Sequence, residues 1–304
     1  MKKIINNFYK LFPSKLYVID NGFRFFARDY EYLFLTYYDN IENLKVLADV
    51  SNKLYYKKIY VNTFVPTVEG SLYVDVEGVN YVLFRINSSV KDCYNLNDVS
   101  KFNYSFNSYD YNLKIVPWFR VWSDKVDLLE NTMADLNKEY PLLQEVFPYY
   151  IGLAENAISY CRNAIQPNEN LLITINHNRV GIEDTFEYLY NPLTFTFDYD
   201  VRDIAEYIKN KFLFHSLDFA EVESLFKNHK FSKTSLILLF SRLLYPSYFF
   251  DICKLILEEE KEESVLEKLI LKSDAYEELL NDIYFLIKKI YDVPKIDWLI
   301  RKFA

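Results

Sequence analysis

The sequence predicts an α+β fold of two lobes, with strands in the N-terminal lobe and helices in the C-terminal lobe. Two observations predict this fold. Apolar residues mainly alternate along the first 90 residues, whereas after about residue 112 they recur with the period of a helix. A polar break at Asn87, Ser88 and Ser89 falls between the two patterns and would serve as a hinge. We therefore expect a strand-rich lobe at residues 1–88 and a helical lobe at residues 89–304.

The N-terminal lobe is predicted to have the element order β-β-β-α-β-β-β. Asp20-Asn21-Gly22 is a hairpin-type turn between the first two strands. A second turn, at Glu77-Gly78, lies between two alternating segments that form the last two strands. The predicted strands are 16–19, 23–27, 30–38, 60–65, 72–76 and 79–83, and the predicted helix is about 40–54.

The C-terminal lobe is predicted to be mainly helical after a polar loop at about 92–112. Apolar spacing predicts an amphipathic helix that begins near Ser123 and ends before Pro141. Trp118 and Trp122 would lie just before this helix and pack in the core. Further helices are expected at 147–164, 201–213, 217–228, 233–244, 246–259, 264–272 and 274–291.

Composition restricts the class of partner. A chain of 304 residues, 51% of them hydrophobic, can bury a large core. The net charge of -8 argues against nucleic acid or an anionic membrane as a partner. We find neither an uninterrupted apolar run of roughly 18 residues nor the apolar core of a signal peptide. Cys93, Cys161 and Cys253 are far apart and lack metal-ligand spacing, as expected of reduced, buried thiols in a cytoplasmic protein.

Residues 171–209 carry the pattern that bears most directly on function. An apolar strand runs into His177, and about twenty residues later a second strand ends at Asp198. Asp203 follows, in the segment Arg-Asp-Ile-Ala that opens a helix. Arg179 stands two residues after the histidine, and a guanidinium cannot accept a proton from a substrate hydroxyl.

This order of residues resembles that of kinase-like small-molecule phosphotransferases, which have a His-x-Asp loop, a metal-binding Asp after a strand, and Asp-Leu-Ala at a helix start. The chain is similar, more narrowly, to the spore-coat-associated kinase-like proteins of endospore-forming bacteria (the CotS/YutH type), relatives of aminoglycoside and choline phosphotransferases. The resemblance implies a bilobal protein-kinase-like fold and a role in the spore coat. It rests also on residues 147–158, 198–208, 244–249 and 293–299.

The resemblance implies roles for the residues of the loop. His177 would be a structural residue that hydrogen-bonds the backbone near Asp198, or a catalytic base, for which no orienting partner is evident. Arg179 would pair with Asp198 or bind a phosphate or other anion. Asp198 would hold Mg²⁺ only if a nucleotide binds. The second ligand would then be Asp184, seven residues after the histidine, or the preceding Glu183. A surface loop explains both of these acids equally well. Asp203 would cap its helix or anchor the loop.

The N-terminal lobe lacks groups that position ATP in the family. The phosphate-pairing lysine would fall near Leu35, in a predicted strand without lysine, so Glu42 or Asp49 on the next helix would have no ion-pair partner. Gly22 stands alone where a glycine-rich loop would cradle phosphates. With the base also replaced, three usual components are missing together. We therefore expect weak ATP–Mg²⁺ binding or none.

These observations favour a catalytically inactive kinase-fold protein that acts as a structural or assembly component of the spore coat. It would be made in the mother-cell cytoplasm, require no cofactor and contact other coat proteins, with homo-oligomerisation left open. The alternative is an atypical small-molecule phosphotransferase that uses ATP and Mg²⁺ with an unassigned base. A third interpretation is a switch that senses nucleotide without turnover.

Overall fold

The computed structural model describes the chain at residues 1–88, 92–102, 115–135, 139–164, 171–178, 180–181, 185–258 and 260–303. The chain forms two compact units. The N-terminal unit comprises Met1–Tyr94 and Glu183–Phe195, and the C-terminal unit comprises Asn95–Ile182 and Thr196–Ala304. The predicted lobes were continuous segments, whereas the N-terminal unit also contains a short segment from the second half of the chain.

The described residues form helices and strands in both units, together with a 3-10 turn at Pro192–Thr194. In chain order the elements are α1 Lys2–Tyr9, β1 Tyr17–Ile19, β2 Gly22–Ala27, β3 Tyr30–Tyr37, α2 Asn43–Tyr56, β4 Thr63–Phe64, β5 Tyr73–Val76, β6 Val79–Arg85, α3 Leu96–Ser100, α4 Trp118–Asp135, α5 Pro141–Ala164, β7 Ile173–His177, α6 Phe186–Leu189, β8 Phe195–Tyr199, α7 Arg202–Phe214, α8 Phe219–Asn228, α9 Lys233–Leu244, α10 Ser247–Leu257, α11 Val265–Ile290 and α12 Asp297–Lys302.

An antiparallel sheet forms the centre of the N-terminal unit, with strand order β1-β2-β3-β6-β4 and with β5 also paired to β6. Successive side chains of a strand point to opposite faces, so each face of the sheet has its own apolar cluster. Phe34 of β3 packs in the cluster that includes Ile5 of α1. Leu35 of the same strand packs with Leu44 of α2 in the second cluster, on the opposite face of the sheet. One helix therefore covers each face.

The sequence predicted most elements of this unit, with three differences. Helix α1 was not predicted. The strand expected at 60–65 is limited to β4, Thr63–Phe64. Asp49, expected to have no ion-pair partner, pairs with Lys53 one turn along the same helix, with 2.9 Å between carboxylate and ammonium. Leu35, at the position expected for the phosphate-pairing lysine, is buried in β3. Cys93, which was expected to be buried, is exposed, whereas the other two cysteines of the chain are buried.

Helix α9 lies at the centre of the C-terminal unit, where it packs against α5, α7 and α11. Nine of the twelve residues of α9 are buried, as expected of a mainly apolar helix in a core. The segment Lys233–Leu257, which is α9 and α10 together, is long and apolar enough to cross a membrane. The structure buries 72% of the tested window inside the unit, which is the environment of a core helix.

Three predictions for this unit were wrong. Helix α4 begins at Trp118, so the two tryptophans lie within it and not before it. Helix α3 lies inside the predicted loop and begins with a capping box formed by Asn95 and Asp98. The two helices expected around Ser273 are the single helix α11, since the Ser273 hydroxyl donates to the Ile270 carbonyl and does not cap a new helix.

Buried hydrogen bonds attach the C-terminal helix α12 to the rest of its unit. Glu277 of α11 accepts a hydrogen bond of 2.6 Å from the Tyr149 hydroxyl and one of 2.5 Å from the Lys302 ammonium. Only 5% of Glu277 is exposed. Burial raises the pKa of Tyr149 above its usual range, and the neighbouring Glu277 raises it further. One carboxylate thus joins α5, α11 and α12.

Candidate functional site

The site predicted from the sequence lies at the paired ends of β7 and β8 in the C-terminal unit. Asn176, which is fully buried, joins these strand ends. Its side-chain amide donates to the carbonyl oxygens of Asp198 and Tyr199 at 3.1 Å and 3.3 Å. The side-chain carbonyl oxygen of Asn176 accepts a hydrogen bond of 3.2 Å from the backbone N–H of Asp203. These bonds to the backbone near Asp198 were expected from His177, and Asn176 makes them instead.

His177 has an orienting partner, contrary to the expectation that none is present. The His177 Nδ1 atom lies 2.6 Å from the Asp203 Oδ2 atom, and the His177 backbone N–H donates to Asp203 Oδ1 at 3.0 Å. Both side chains are almost completely buried. The His177 ring also meets Phe102 edge-on. Asp203 thereby connects the end of β7 to the first turn of α7.

Asp198 is held by an indole, a backbone N–H and a guanidinium. Its Oδ1 atom accepts hydrogen bonds of 2.8 Å from the Trp118 indole and from the Tyr199 backbone N–H. Its Oδ2 atom lies 3.2 Å from Arg202 Nε. Burial raises the pKa of Asp198 above its ordinary value, although Arg202, Arg242 and the two hydrogen bonds act in the opposite direction.

Arg202 links Asp198 to the end of β7. While Nε faces the carboxylate, Nη1 donates to the His177 carbonyl at 2.6 Å and Nη2 donates to the Asn178 carbonyl at 3.4 Å. Arg179 and Asp184 lie outside the described residues. The predicted pairing of Arg179 with Asp198 and the predicted metal ligation by Asp184 therefore stay predictions.

A buried charged cluster adjoins Asp198. Glu206 of α7 accepts from Arg242 Nε at 2.7 Å and lies 3.0 Å from the Lys209 ammonium. Burial acts to raise the pKa of Glu206, but the adjacent cations outweigh it and lower that pKa to about 2. Burial lowers the pKa of Lys209 to about 8. The Arg242 guanidinium also lies over the Trp118 ring, 4.9 Å from its centroid.

The described residues around Asp198 do not fit a magnesium ion. Mg²⁺ requires several oxygen ligands at short range. Within the described ranges no group of three or more His, Cys, Asp or Glu residues could hold a metal. Both Asp198 oxygens already have partners, and the positive charges of Arg202 and Arg242 oppose a cation beside them.

Sequence reasoning missed the residues that surround Asp198. Arg202 lies only four residues after Asp198, across the turn between β8 and α7, and this short separation is a signal that could have identified it. Trp118 is separated from Asp198 by 80 positions, and Glu206 from Arg242 by 36. No local pattern in the sequence could have paired residues so far apart.

Comparison with known proteins identifies relatives that match most of the chain. It is 29% identical over 271 residues to the endospore coat-associated protein YutH of Bacillus subtilis (strain 168), across 79% of this chain and 80% of that protein. An aminoglycoside phosphotransferase from Alicyclobacillus acidocaldarius matches with a TM-score of 0.71 and 10% identity, across 91% of this chain and 93% of that chain. A spectinomycin phosphotransferase in its AMP-bound complex matches with a TM-score of 0.60 and 11% identity, across 96% and 94%.

The structural likeness confirms the predicted fold class, an α+β kinase-like fold of the aminoglycoside phosphotransferase type, with a β-sheet in its N-terminal region and helices in its C-terminal part. At 10% to 11% identity that likeness concerns the fold alone. The sequence comparison is more specific, since the family model described as "Spore coat putative kinase YutH" matches residues 2–283. The chain belongs to this spore-coat-associated family.

Proposed function

We propose that this protein is a catalytically inactive member of its family that serves in the structure or assembly of the spore coat. The environment of Asp198 carries the proposal. In kinase-type phosphoryl transfer a carboxylate at this position binds the metal that neutralises the phosphates. Here Trp118 and Tyr199 take up one oxygen of Asp198, and Arg202 faces the other. A guanidinium thus stands where a divalent cation would have to bind.

The N-terminal unit supports the same conclusion. Strand β3 has Leu35 at the position expected for the phosphate-pairing lysine, and this leucine is only 6% exposed. Gly22 forms part of the β1–β2 hairpin, paired with Leu35 across the sheet. Arg179, in the position of the base, cannot accept a proton. Phosphoryl transfer depends almost wholly on positioning and charge stabilisation, so the loss of these groups together removes its main contributions.

In this proposal the residues of the former catalytic loop have structural roles. Asp203 anchors the end of β7 to α7 through its two hydrogen bonds to His177. His177 fills the space beside Phe102 and does not exchange protons with a substrate. Arg202 takes the part that sequence reasoning gave to Arg179, as the guanidinium that neutralises Asp198.

A thermal-shift titration with ATP and Mg²⁺ tests this proposal. A ligand that binds only the native state at 100 times its dissociation constant stabilises it by about 2.7 kcal/mol, which raises the melting temperature by several degrees. We expect no rise for the wild-type protein. A Mg²⁺-dependent rise that disappears in Asp198→Asn would contradict the proposal and favour the phosphotransferase alternative. A rise with ATP in the absence of Mg²⁺, which inorganic phosphate at the same concentration does not produce, would favour nucleotide sensing.

The coat assignment is tested separately. The relative in Bacillus subtilis is described as endospore coat-associated. We propose that this chain is made in the mother-cell cytoplasm and then joins other coat proteins at the developing spore. A fluorescent fusion, expressed from its own promoter, should first be diffuse in the mother cell and later form a ring around the spore. Fluorescence confined to the spore interior would contradict this assignment.

A further inference from the structure

A cavity in the C-terminal unit lies between α4, α7, α9 and α10. It has a volume of about 430 Å³, and its charged and polar lining includes Lys125, Arg202, Glu206, Arg242, Ser247 and Asp251. A second hollow of about 380 Å³ adjoins it and shares Lys125, Arg202, Arg242 and Ser247 with it. Small-molecule sites commonly have volumes of about 300–1,000 Å³. We call the first of these the α4–α10 cavity.

The Arg242 guanidinium is held in a fixed orientation at the wall of this cavity. Its Nε atom donates to Glu206, and Glu206 is itself held by Lys209. The indole rings of Trp118 and Trp122 pack against its plane, with centroid distances of 4.9 Å and 5.8 Å. The hydrogen bond to Glu206 uses Nε and leaves the end that carries Nη1 and Nη2.

The Nη1 and Nη2 groups of Arg242 have no acceptor in the part of the chain that the structure describes. They are also not among the polar atoms that are buried without a partner, so they are accessible from the cavity. The end of a guanidinium offers two parallel N–H donors, which match the two oxygens of a carboxylate or phosphate. Arg242 is therefore preorganised for bidentate binding of an anion.

The charges around the cavity favour an anion over a cation. Asp198 and Glu206 are already neutralised by Arg202, Arg242 and Lys209. Lys125, on the exposed rim, has no ion-pair partner among the residues described. The N-terminus of the eleven-residue helix α10 contributes Ser247 to the wall and adds a partial positive charge. The lining has four cationic side chains, Lys125, Arg202, Arg242 and Lys261, and two carboxylates, Glu206 and Asp251. Positive charge therefore exceeds negative charge around the cavity, although the whole chain has a net charge of -8.

We propose that the α4–α10 cavity is a binding site for a small anion whose carboxylate or phosphate group accepts two hydrogen bonds from Nη1 and Nη2 of Arg242. Lys125 contributes attraction at the rim. The site requires neither Mg²⁺ nor a nucleotide, so it does not depend on the proposed absence of catalysis. A protein that acts through contacts with other coat proteins can in this way still bind a small ligand.

Isothermal titration calorimetry at low ionic strength, with EDTA present, tests this site using inorganic phosphate and citrate as probes. At least one of the two should bind with a dissociation constant below ~10 mM. Preference for phosphate would identify the ligand as a phosphate ester, and preference for citrate would identify it as a carboxylate. Absence of heat for both probes up to that concentration would overturn the proposal.

Two variants and a control locate the bound probe. Lys125→Glu changes only the exposed rim, so the protein should fold normally and bind the probe about tenfold more weakly. Lys268→Glu makes the same charge change on an exposed surface of α11, outside the cavity lining, and should alter binding less than about twofold. Equal effects of the two variants, or no effect of either, would show binding elsewhere and overturn the proposal.

Arg242→Gln tests the bidentate contact itself. Glutamine keeps a donor for Glu206 and loses the two terminal N–H groups, so binding of the preferred probe should become undetectable. Thermal denaturation establishes whether the variant is folded before it is titrated. If Arg242→Gln is unfolded, the comparison of Lys125→Glu with Lys268→Glu decides the question. A folded Arg242→Gln that binds as the wild type does would overturn the proposal.

Discussion

The buried carboxyl group of Asp200 should make the stability of this protein depend on pH. Asp200 stands just before α7 and is only 5% exposed. Its Oδ2 atom accepts a hydrogen bond of 2.8 Å from the Ser235 hydroxyl. Burial raises the pKa of Asp200 from 3.8 to about 6, although the hydrogen bonds from Ser235 and the backbone act to lower it. Between pH 3.8 and about 6, Asp200 in the folded protein therefore keeps a proton that it has lost in the unfolded chain.

The magnitude follows from the difference between these two pKa values. One pKa unit corresponds to about 1.4 kcal/mol, so the ionised form of Asp200 destabilises the folded state by about 3 kcal/mol. Between the two values the folded state binds more protons than the unfolded state, and stability falls as pH rises. The stabilisation is present in full below pH 3.8 and is lost as pH rises through about 6.

Asp200→Asn removes this dependence because an amide has nearly the same shape and no charge. From about pH 4 to about pH 7, the free energy of unfolding of the variant should rise relative to the wild type by about 2.4 kcal/mol. Urea unfolding at a series of pH values, followed by tryptophan fluorescence, measures that difference. Asp124→Asn, at an exposed position on α4, is the control and should show no such trend. A constant difference between Asp200→Asn and the wild type across this range would refute the reasoning.

Three further substitutions, one of them with a matched control, test individual contacts by thermal and urea denaturation. Asp203→Ala removes both bonds to the end of β7 and should cost about 2–4 kcal/mol of stability; a loss below ~0.5 kcal/mol would show that the contact is dispensable. Gly22→Ala places a methyl group against the Phe34 carbonyl oxygen at a backbone φ of +148°, and it should cost about 2 kcal/mol or more of stability. The control Gly70→Ala has open space around the added methyl group and should cost only about 1 kcal/mol. Equal losses for the two variants would contradict the steric argument. Glu277→Ala should cost about 3 kcal/mol and expose α12 to trypsin, and unchanged proteolysis would show that other contacts hold that helix.

Local patterns in the sequence predicted the elements that short-range physics determines. Asp20 and Asn21 form the turn of the predicted hairpin, while Gly22 already belongs to β2 and pairs with Ile19. Helix α9 has the predicted bounds because its apolar residues continue from a serine cap to the turn before Pro246. Such signals act over a few residues, so one sequence is sufficient to detect them.

Contacts between distant residues determined what the sequence could not predict. Helix α11 continues through Ser273 because Leu269 and Tyr276 on either side are both buried in the core, and this packing outweighs the local signal for a new helix start. The partner of His177 is Asp203. The sequence predicted that Asp203 caps its helix or anchors the loop, but it did not predict a contact with His177. The Trp118 bond to Asp198 depends on how α4 packs against β8.

Phosphoryl transfer by the purified wild-type protein tests the central claim most directly. The protein should be incubated with γ-labelled ATP and Mg²⁺, with free phosphate and labelled products measured against Asp198→Asn as the background. We predict that the two proteins give the same rate, because the Asp198 carboxylate is already paired with Arg202 and hydrogen-bonded by the Trp118 indole. A Mg²⁺-dependent rate in the wild type that Asp198→Asn abolishes would contradict the claim and establish the chain as a phosphotransferase.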